Sequence, residues 1–279
     1  MQHRRATTRS EQQNHVAILA RRDPGPIIPC VARRIHVSQP LGTNESIDLD
    51  PSQAHHVRNV LRLGVGDAVE LFDDAGAVAN AVLVHCDPAH VSVRIECVQT
   101  RPSAVQIIIA SAIPKGDRAD WMIEKLSELG VSRFIPLATA RSVVLPTGQN
   151  KRDRWIRIAT ESAKQSRRAG VMQIDELTPV EKVVEGLKAE GRGQNSTNMA
   201  IYLSTAPDAI PIASALSTLC PLPSALLFIG PEGGWTPDEI ALFQSHHLTG
   251  VKLPATILRV ETAAVAAAAV VTCSLQLQG

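Results

Sequence analysis

Aromatic residues are scarce in this sequence, and no apolar run is long. Its 279 residues include three Trp, one Tyr and four Phe, too few to predict an extended platform on which the bases of a single strand would stack. A membrane-spanning helix needs roughly 20 consecutive apolar residues. The most apolar stretch, AAVAAAAVV at 263–271, is shorter, so we expect no membrane partner.

Cysteine is also sparse. The five cysteines, at positions 30, 86, 97, 220 and 273, are odd in number and never spaced as C-x-x-C, and none belongs to a Cys/His cluster. A structural zinc site needs such ligands close together. We therefore expect no metal, and free thiols in the reducing environment of the cytoplasm.

The net charge of +1 is the sum of uneven segments. Residues 115–170 carry twelve Lys or Arg against six Asp or Glu, whereas residues 171–279 carry five against ten. A local basic surface binds polyanions even when the whole protein is near neutral. A solvated charged face is the alternative interpretation.

Residues 1–34 lack hydrophobic periodicity and carry seven Arg against one Glu and one Asp. This composition is typical of a disordered extension. It is also that of an organellar transit peptide, which would place the protein in an organelle. A basic tail or an upstream start codon explains it equally well.

Two folded regions follow. Residues 35–101 contain short alternating segments around the turn signal DDAG and one short helix at 52–63 with Ser52 as its N-cap, which predicts a small β-barrel. The predicted linker is RPS at 101–103. Residues 104–279 alternate apolar runs such as VQIIIASA and SALLFIG with helical stretches. This alternation predicts an α/β domain whose parallel sheet is buried on both faces.

The second clear helix of the α/β region, at 152–168, is strongly basic. One stripe of it carries Arg154, Arg157, Lys164 and Arg168. A stripe of guanidinium and ammonium groups suits phosphates, and it equally describes a solvated face joined by Glu161.

The stretch GPEGGWTPDE at 230–239 joins an apolar strand to a helix. Thr236 is the predicted N-cap, Pro237 takes the first helical position, and Glu239 completes a capping box. Neither G-x-G-x-x-G nor a phosphate loop is present, and Glu232 would repel phosphate. The loop suits ribose hydroxyls, an adenine edge or a positive charge, although a purely structural turn remains an alternative.

The stretch LPATILRVETAAVAAAAVV at 253–271 combines charge with small side chains. Glu261 and Thr262 are predicted to cap a helix of Ala and Val, which packs closely inside the domain or against a second subunit. Arg259 and Glu261 stand beside it, either as a structural ion pair or as functional groups.

Taken together, these motifs make the chain similar to the RsmE family of small-subunit (16S) ribosomal RNA uracil-N3 methyltransferases, in the SPOUT superfamily. The resemblance runs from position 32 to the C-terminus. In the family's order, the segments that carry it are HHVRNVLRLGVGD (55–67), KGDRADWMIEKLSELGV (115–131), RSVV (141–144), ESAKQSRR (161–168), GPEGGW (230–235) and ILRVETAA (257–264).

The resemblance implies a PUA-like RNA-binding barrel followed by an α/β domain whose last segments form a deep trefoil knot. It also implies S-adenosylmethionine as the cofactor, held in a bent form by the knot, and a homodimer with active sites near the subunit interface. The residues that would hold the cofactor are Leu203, Ser204, Gly230, Glu232, Gly233, Gly234, Leu253, Ile257 and Leu258.

The implied substrate is small-subunit ribosomal RNA, in the assembled subunit. Arg259 is our candidate for stabilising charge on a uracil carbonyl, and Glu261 for orienting that arginine. The proton of N3 goes to an unidentified base or to solvent. The predicted RNA contacts are Lys115, Arg118, Arg141, Gln165 and Arg168.

The chain also departs from the family pattern. Pro254 stands where the family has Gly, and Thr256 where it has Arg, while Val171 and Met172 replace Val-Pro. Since Pro254 has no backbone N–H, cofactor affinity falls if the family glycine uses that group. An RNA-binding protein with little catalysis, and a methyltransferase acting on a different RNA, therefore remain alternatives.

Overall fold

The computed structural model describes residues 33–42, 46–100, 105–145, 148–189, 199–217, 224–253 and 256–276. Two β-sheets with separate hydrophobic cores organise this part of the chain. The predicted extension up to position 32, the predicted linker at 101–103 and Pro254 lie outside the described residues. The domain boundaries at 35–101 and 104–279 stay predictions.

The first sheet is five-stranded and curled. Its strands are β1 (Arg33–His36), β2 (Ser46–Asp48), β3 (Ala68–Phe72), β4 (Ala77–Cys86) and β5 (Val91–Thr100). They lie in the order β1-β3-β4-β5-β2, with β1 parallel to β3 and the other pairs antiparallel. Two register shifts bend the β4–β5 pair around a core that includes Leu71 and Val93. The predicted small β domain is confirmed.

The N-cap of the helix in this region lies two residues earlier than the sequence predicts. Helix α1 (Pro51–His55) is capped by Asp50 rather than Ser52, because Asp50 Oδ1 accepts a hydrogen bond from the backbone N–H of Ser52 at 2.9 Å. Asp and Ser are comparable N-caps, and the helix dipole additionally favours the negative charge of the carboxylate at this end. The helix then widens into a π-helical segment, His56–Val60.

The second sheet is parallel and carries the remaining elements. These are β6 (Gln106–Ser111), α2 (Arg118–Glu128), β7 (Arg133–Ala138), α3 (Gln149–Gln165), β8 (Gln173–Ile174), β9 (Thr178–Pro179), α4 (Val180–Ala189), β10 (Met199–Leu203), β11 (Ile210–Pro211), α5 (Ile212–Ser217), β12 (Ser224–Ile229), α6 (Pro237–Ser245), β13 (Thr249–Lys252) and α7 (Val260–Gln276). The order is β11-β13-β10-β12-β6-β7-β8, and β9 also pairs with β7.

Helices cover both faces of this sheet, and all six residues of β12 are buried. On one face α2, α3 and α7 pack together, with Met122 and Ala264 completely buried. On the other, α4 and α6 meet an aromatic cluster in which the rings of Tyr202 and Phe243 stack at 4.7 Å. The predicted parallel α/β architecture is confirmed, while the trefoil knot stays a prediction.

Arg34 joins the two sheets. Its side chain is nearly buried, forms an ion pair with Glu70 and lies 4.3 Å from the ring centroid of Phe72. The guanidinium also donates hydrogen bonds to the carbonyls of Ala163 at 3.0 Å and Arg168 at 2.8 Å, both on the side of the second sheet. Position 34 is therefore part of the folded region rather than of the predicted extension.

Candidate cofactor and RNA site

The carboxyl ends of three neighbouring parallel strands meet at one edge of the second sheet. β10 lies between β12 and β13 and pairs in parallel with both. The chain leaves these ends through Leu203 and Ser204, Gly230, and Leu253, and the Ser204 N–H donates to the Val251 carbonyl at 2.8 Å. Ligands of open α/β sheets bind at this kind of edge. The predicted cofactor stretches are thus brought together.

The indole of Trp235 fixes the loop 230–235. Its Nε1 donates to the Leu203 carbonyl at 2.8 Å, which ties the loop after β12 to the end of β10. A Cβ added at Gly230 would lie 2.9 Å from Cε2 of this indole, so the position has no room for a side chain. Gly234 has a φ of +70°, where glycine is favoured. The glycines therefore allow the loop to be compact and leave its backbone without covering side chains.

Helix α6 begins with the predicted capping box. Thr236 Oγ1 accepts from the Glu239 N–H, and Glu239 Oε2 accepts from the Thr236 N–H at 2.7 Å. The other carboxylate oxygen, Oε1, accepts from the Ala140 N–H at 2.9 Å. Next to it, Arg141 Nη1 donates to the Gly233 carbonyl at 2.7 Å. The segment after β7 is therefore fastened to the loop 230–235.

Three charged side chains meet beside this loop, and we call them the Arg118 cluster. Arg118 Nη1 lies 3.2 Å from Glu261 Oε1 and 3.5 Å from Glu232 Oε1. The side chain of Glu261 is only 8% exposed. Its Oε2 is buried and has no hydrogen-bond partner in the described part of the chain. One acceptor in the cluster is thus unsatisfied.

The predicted pairing of Arg259 with Glu261 is not observed. Helix α7 begins at Val260, so Glu261 lies inside the first turn instead of capping it, and its carboxylate is bound by Arg118. Arg259 is exposed. Its guanidinium therefore remains accessible to a substrate, and an orienting contribution from Glu261 has no contact to support it.

The predicted RNA contacts divide into three groups. Lys115, Arg141 and Gln165 are exposed. Arg118 is 34% exposed within its cluster. Arg168 lies beyond the end of α3, and its guanidinium turns inward.

The guanidinium of Arg168 is bound within the protein, and its predicted RNA role stays a prediction. Its Nη1 donates to the carbonyls of Ser127 and Val131 at 2.9 and 2.8 Å, where α2 ends, and burial lowers its pKa to about 10. The predicted basic stripe is not confirmed either, since Arg154 pairs with Asp120 at 2.6 Å. The ammonium group of Lys164 forms an ion pair with Glu161 of the same helix.

The site has the features that S-adenosylmethionine requires. The compact glycine loop, with the strand ends around it, suits an adenosine group, and Leu253 and Leu258 are half-buried against the core of the parallel sheet. The excess of carboxylates in the Arg118 cluster suits a cationic ligand. Ile257, also predicted to contact the cofactor, is 85% exposed. Pro254, which bears on cofactor affinity, lies outside the described residues.

Among the described helices, none is both long and apolar enough to cross a membrane. Over the described ranges, no group of three or more His, Cys, Asp or Glu side chains is placed to hold a metal ion.

The chain matches known proteins over most of its length. A family model for RNA methyltransferase domains matches residues 101–272, and one for the PUA domain of RNA methyltransferases matches residues 49–96. Ribosomal RNA small subunit methyltransferase E of Bacillus subtilis is 33% identical over 217 residues, which cover 76% of this chain and 83% of that protein. The chain belongs to this RNA methyltransferase family. The member from Synechocystis is 32% identical over 88% of this chain and 79% of its own length.

Solved structures of similar proteins have the same fold. Ribosomal RNA small subunit methyltransferase E of Neisseria gonorrhoeae, bound to S-adenosylmethionine, superposes with a TM-score of 0.75 at 25% identity, covering 87% of this chain and 98% of its own. A Legionella pneumophila methyltransferase, also with bound S-adenosylmethionine, gives a TM-score of 0.72 at 26% identity, covering 88% and 98%. The predicted PUA-like domain is confirmed by the family model, and the α/β methyltransferase fold by these two solved structures.

Proposed function

We propose that this protein transfers a methyl group from S-adenosylmethionine to N3 of a uridine in small-subunit ribosomal RNA. The observation that carries the proposal is the meeting of three parallel strand ends around the loop 230–235. Membership of the RNA methyltransferase family supports the reaction class, and two solved relatives hold the cofactor. We further propose that it acts as a homodimer on the assembled subunit in the cytoplasm.

The residues that would hold the cofactor are those at the three strand ends. The nucleoside part of the cofactor would bind at the strand ends, Leu203 and Gly230, and along the backbone of Gly233 and Gly234, which has no side chains. The half-buried Leu258 would pack against it. When bound, S-adenosylmethionine supplies a methyl group on a positively charged sulfur. The acidic excess of the neighbouring Arg118 cluster favours that charge.

The chemistry at the uracil needs an anionic ring, because neutral N3 carries a proton. Arg259, exposed immediately before α7, would donate hydrogen bonds to a uracil carbonyl and so stabilise the charge that forms when the proton leaves. The proton of N3 would pass to solvent. Alignment of the two reacting atoms supplies much of the remaining acceleration.

RNA would be held through its backbone and shape. Lys115, Arg141 and Gln165 present exposed polar groups on the methyltransferase side, and the PUA-like sheet would add further contacts. Arg141 is already attached to Gly233 through one nitrogen. An RNA phosphate on its other nitrogens would therefore lie next to the cofactor loop.

A methyl-transfer assay tests the proposal. Purified protein is incubated with radiolabelled S-adenosylmethionine and small subunits from a strain lacking the modification, and the labelled nucleoside is identified after digestion. We expect label in 3-methyluridine at one site. Arg259→Ala should lose at least ~100-fold in rate, whereas Lys182→Ala, at an exposed position of α4, should not. Label in another nucleoside, or none with folded protein, would refute the assignment.

A further inference from the structure

The unsatisfied oxygen in the Arg118 cluster points to a ligand. Glu261 Oε2 is buried and lacks a hydrogen-bond donor in the described part of the chain, although the other carboxylate oxygen is paired. An unpaired, buried anionic oxygen is costly, and folded proteins retain few of them. A donor that arrives with a ligand would remove this cost.

The charge of the cluster narrows the class of ligand. Two carboxylates, Glu232 and Glu261, surround one guanidinium, so the formal sum is −1. A phosphate would therefore be repelled by the cluster as a whole. A ligand group that carries positive charge and N–H donors, such as an ammonium, complements both the charge and the vacant acceptor.

Arg118 offers hydrogen-bond donors next to the Glu261 acceptor. Of its five N–H donors, those on Nη1 face Glu261 and Glu232, and Nε donates to the Lys115 carbonyl at 3.3 Å. Nη2 makes no hydrogen bond within the described ranges, and the side chain is one-third exposed. A donor for a carboxylate thus stands beside an acceptor for an ammonium, which together match an α-amino acid zwitterion.

We propose that the Arg118 cluster binds the zwitterionic methionine end of S-adenosylmethionine, an inference that rests on the proposed function. Glu261 Oε2 accepts a hydrogen bond from the α-ammonium, and Arg118 Nη2 donates to the α-carboxylate. Glu232 belongs to both the cluster and the loop 230–235, so the amino-acid end is bound next to the nucleoside end. Arg118 then acts on the cofactor rather than on RNA phosphate.

Three ligands separate this inference from a general role in cofactor binding. S-adenosylmethionine and S-adenosylhomocysteine both carry the amino-acid end, whereas 5′-methylthioadenosine keeps the nucleoside and lacks the ammonium and carboxylate. Affinities of the full chain for each are measured by isothermal titration calorimetry. The variants are Glu261→Gln and Arg118→Gln, and the control is Glu124→Gln, which removes an exposed ion pair on α2.

We expect either site variant to lower the affinity for S-adenosylmethionine and for S-adenosylhomocysteine by at least ~10-fold. The affinity for 5′-methylthioadenosine should stay within about 2-fold of the wild-type value. Glu124→Gln should change none of the three. Circular dichroism melts of each variant show whether the fold is kept, and the ratio between ligands is informative even if some stability is lost.

Other results would overturn the inference. An equal loss of affinity for all three ligands would mean that the Arg118 cluster only stabilises the loop 230–235. Unchanged affinities in both variants, or wild-type protein that binds 5′-methylthioadenosine as tightly as S-adenosylhomocysteine, would refute the zwitterion site while leaving the proposed function intact. Failure of the wild-type protein to bind any of them would refute both.

Discussion

Arg34 Nη2 donates a hydrogen bond to the carbonyl of Arg168 at 2.8 Å, across the junction of the two sheets. Arg168 in turn donates to the carbonyls of Ser127 and Val131, at the end of α2. A strand of the small sheet is thereby connected, through two guanidinium groups, to the helix that begins with Arg118. The orientation of the small sheet is therefore set by buried polar contacts and not by apolar packing alone.

Removal of the Arg34 guanidinium should therefore destabilise the protein. Arg34→Met leaves the carbonyls of Ala163 and Arg168 without their donors, and we expect the free energy of unfolding to fall by about 2–4 kcal/mol. Urea denaturation followed by circular dichroism measures it. Arg33→Met, on the same strand but exposed, is the control, and an equal loss in both variants would contradict the importance of this junction.

Gly230→Ala should impair cofactor binding. The added Cβ would press on the Trp235 indole at 2.9 Å, which forces the loop 230–235 to move. We expect affinity for S-adenosylmethionine to fall by at least ~10-fold, a cost within the range of overpacking, as measured by calorimetry. Gly186→Ala in α4, where nothing lies within 4 Å of the new Cβ, should bind normally and gain about 0.5–1 kcal/mol in stability. Normal binding by Gly230→Ala would show that the loop geometry is not needed.

Trp235→Phe should loosen the connection between β12 and β10. Phenylalanine keeps the apolar packing on Phe243 but removes the donor to the Leu203 carbonyl. We expect about 1–3 kcal/mol of lost stability, read from thermal or urea unfolding. Trp121→Phe, with a side chain 44% exposed on α2, should stay close to wild type. No difference between the two variants would refute the structural role of the indole hydrogen bond.

Larger side chains should not fit on the buried face of α7. Ala267 is fully buried where this helix packs on the sheet, so we expect Ala267→Leu to cost about 1–3 kcal/mol or to prevent folding. Ala266→Leu, at a half-buried position of the same helix, is the matched variant. Analytical ultracentrifugation of Ala266→Leu also examines whether this side of α7 belongs to the proposed dimer interface. Equal stability of both variants and wild type would contradict tight packing of the helix.

The local features of the fold were predictable from the sequence. The runs around Ile109 and Leu227 are apolar on both faces, which identifies buried parallel strands, and they pair as expected. The capping box of Thr236 and Glu239 uses residues three positions apart, so a short pattern contains all of its information.

The contacts that differ from prediction connect distant residues. Arg168 was placed on the basic face by helical periodicity, but α3 ends at Gln165, after which spacing no longer fixes direction. Glu261 stands two positions from Arg259 in the chain, yet its partner is Arg118, 143 residues away. Asp50, and not the predicted Ser52, caps α1. Sequence proximity alone could not choose between such partners.

The alanine-rich α7 has a consequence for how this protein can vary. Ala264, Ala267 and Ala268 have no exposed surface, so the spacing between α7 and its neighbours is set by methyl groups. Only residues of similar size can replace these alanines. A larger residue would need a simultaneous reduction in size at a neighbouring position on α2 or on the sheet. The same helix carries Glu261 in its first turn. A change in the packing of α7 would thus move the Glu261 carboxylate. The packing of this helix and the Arg118 cluster therefore cannot vary independently.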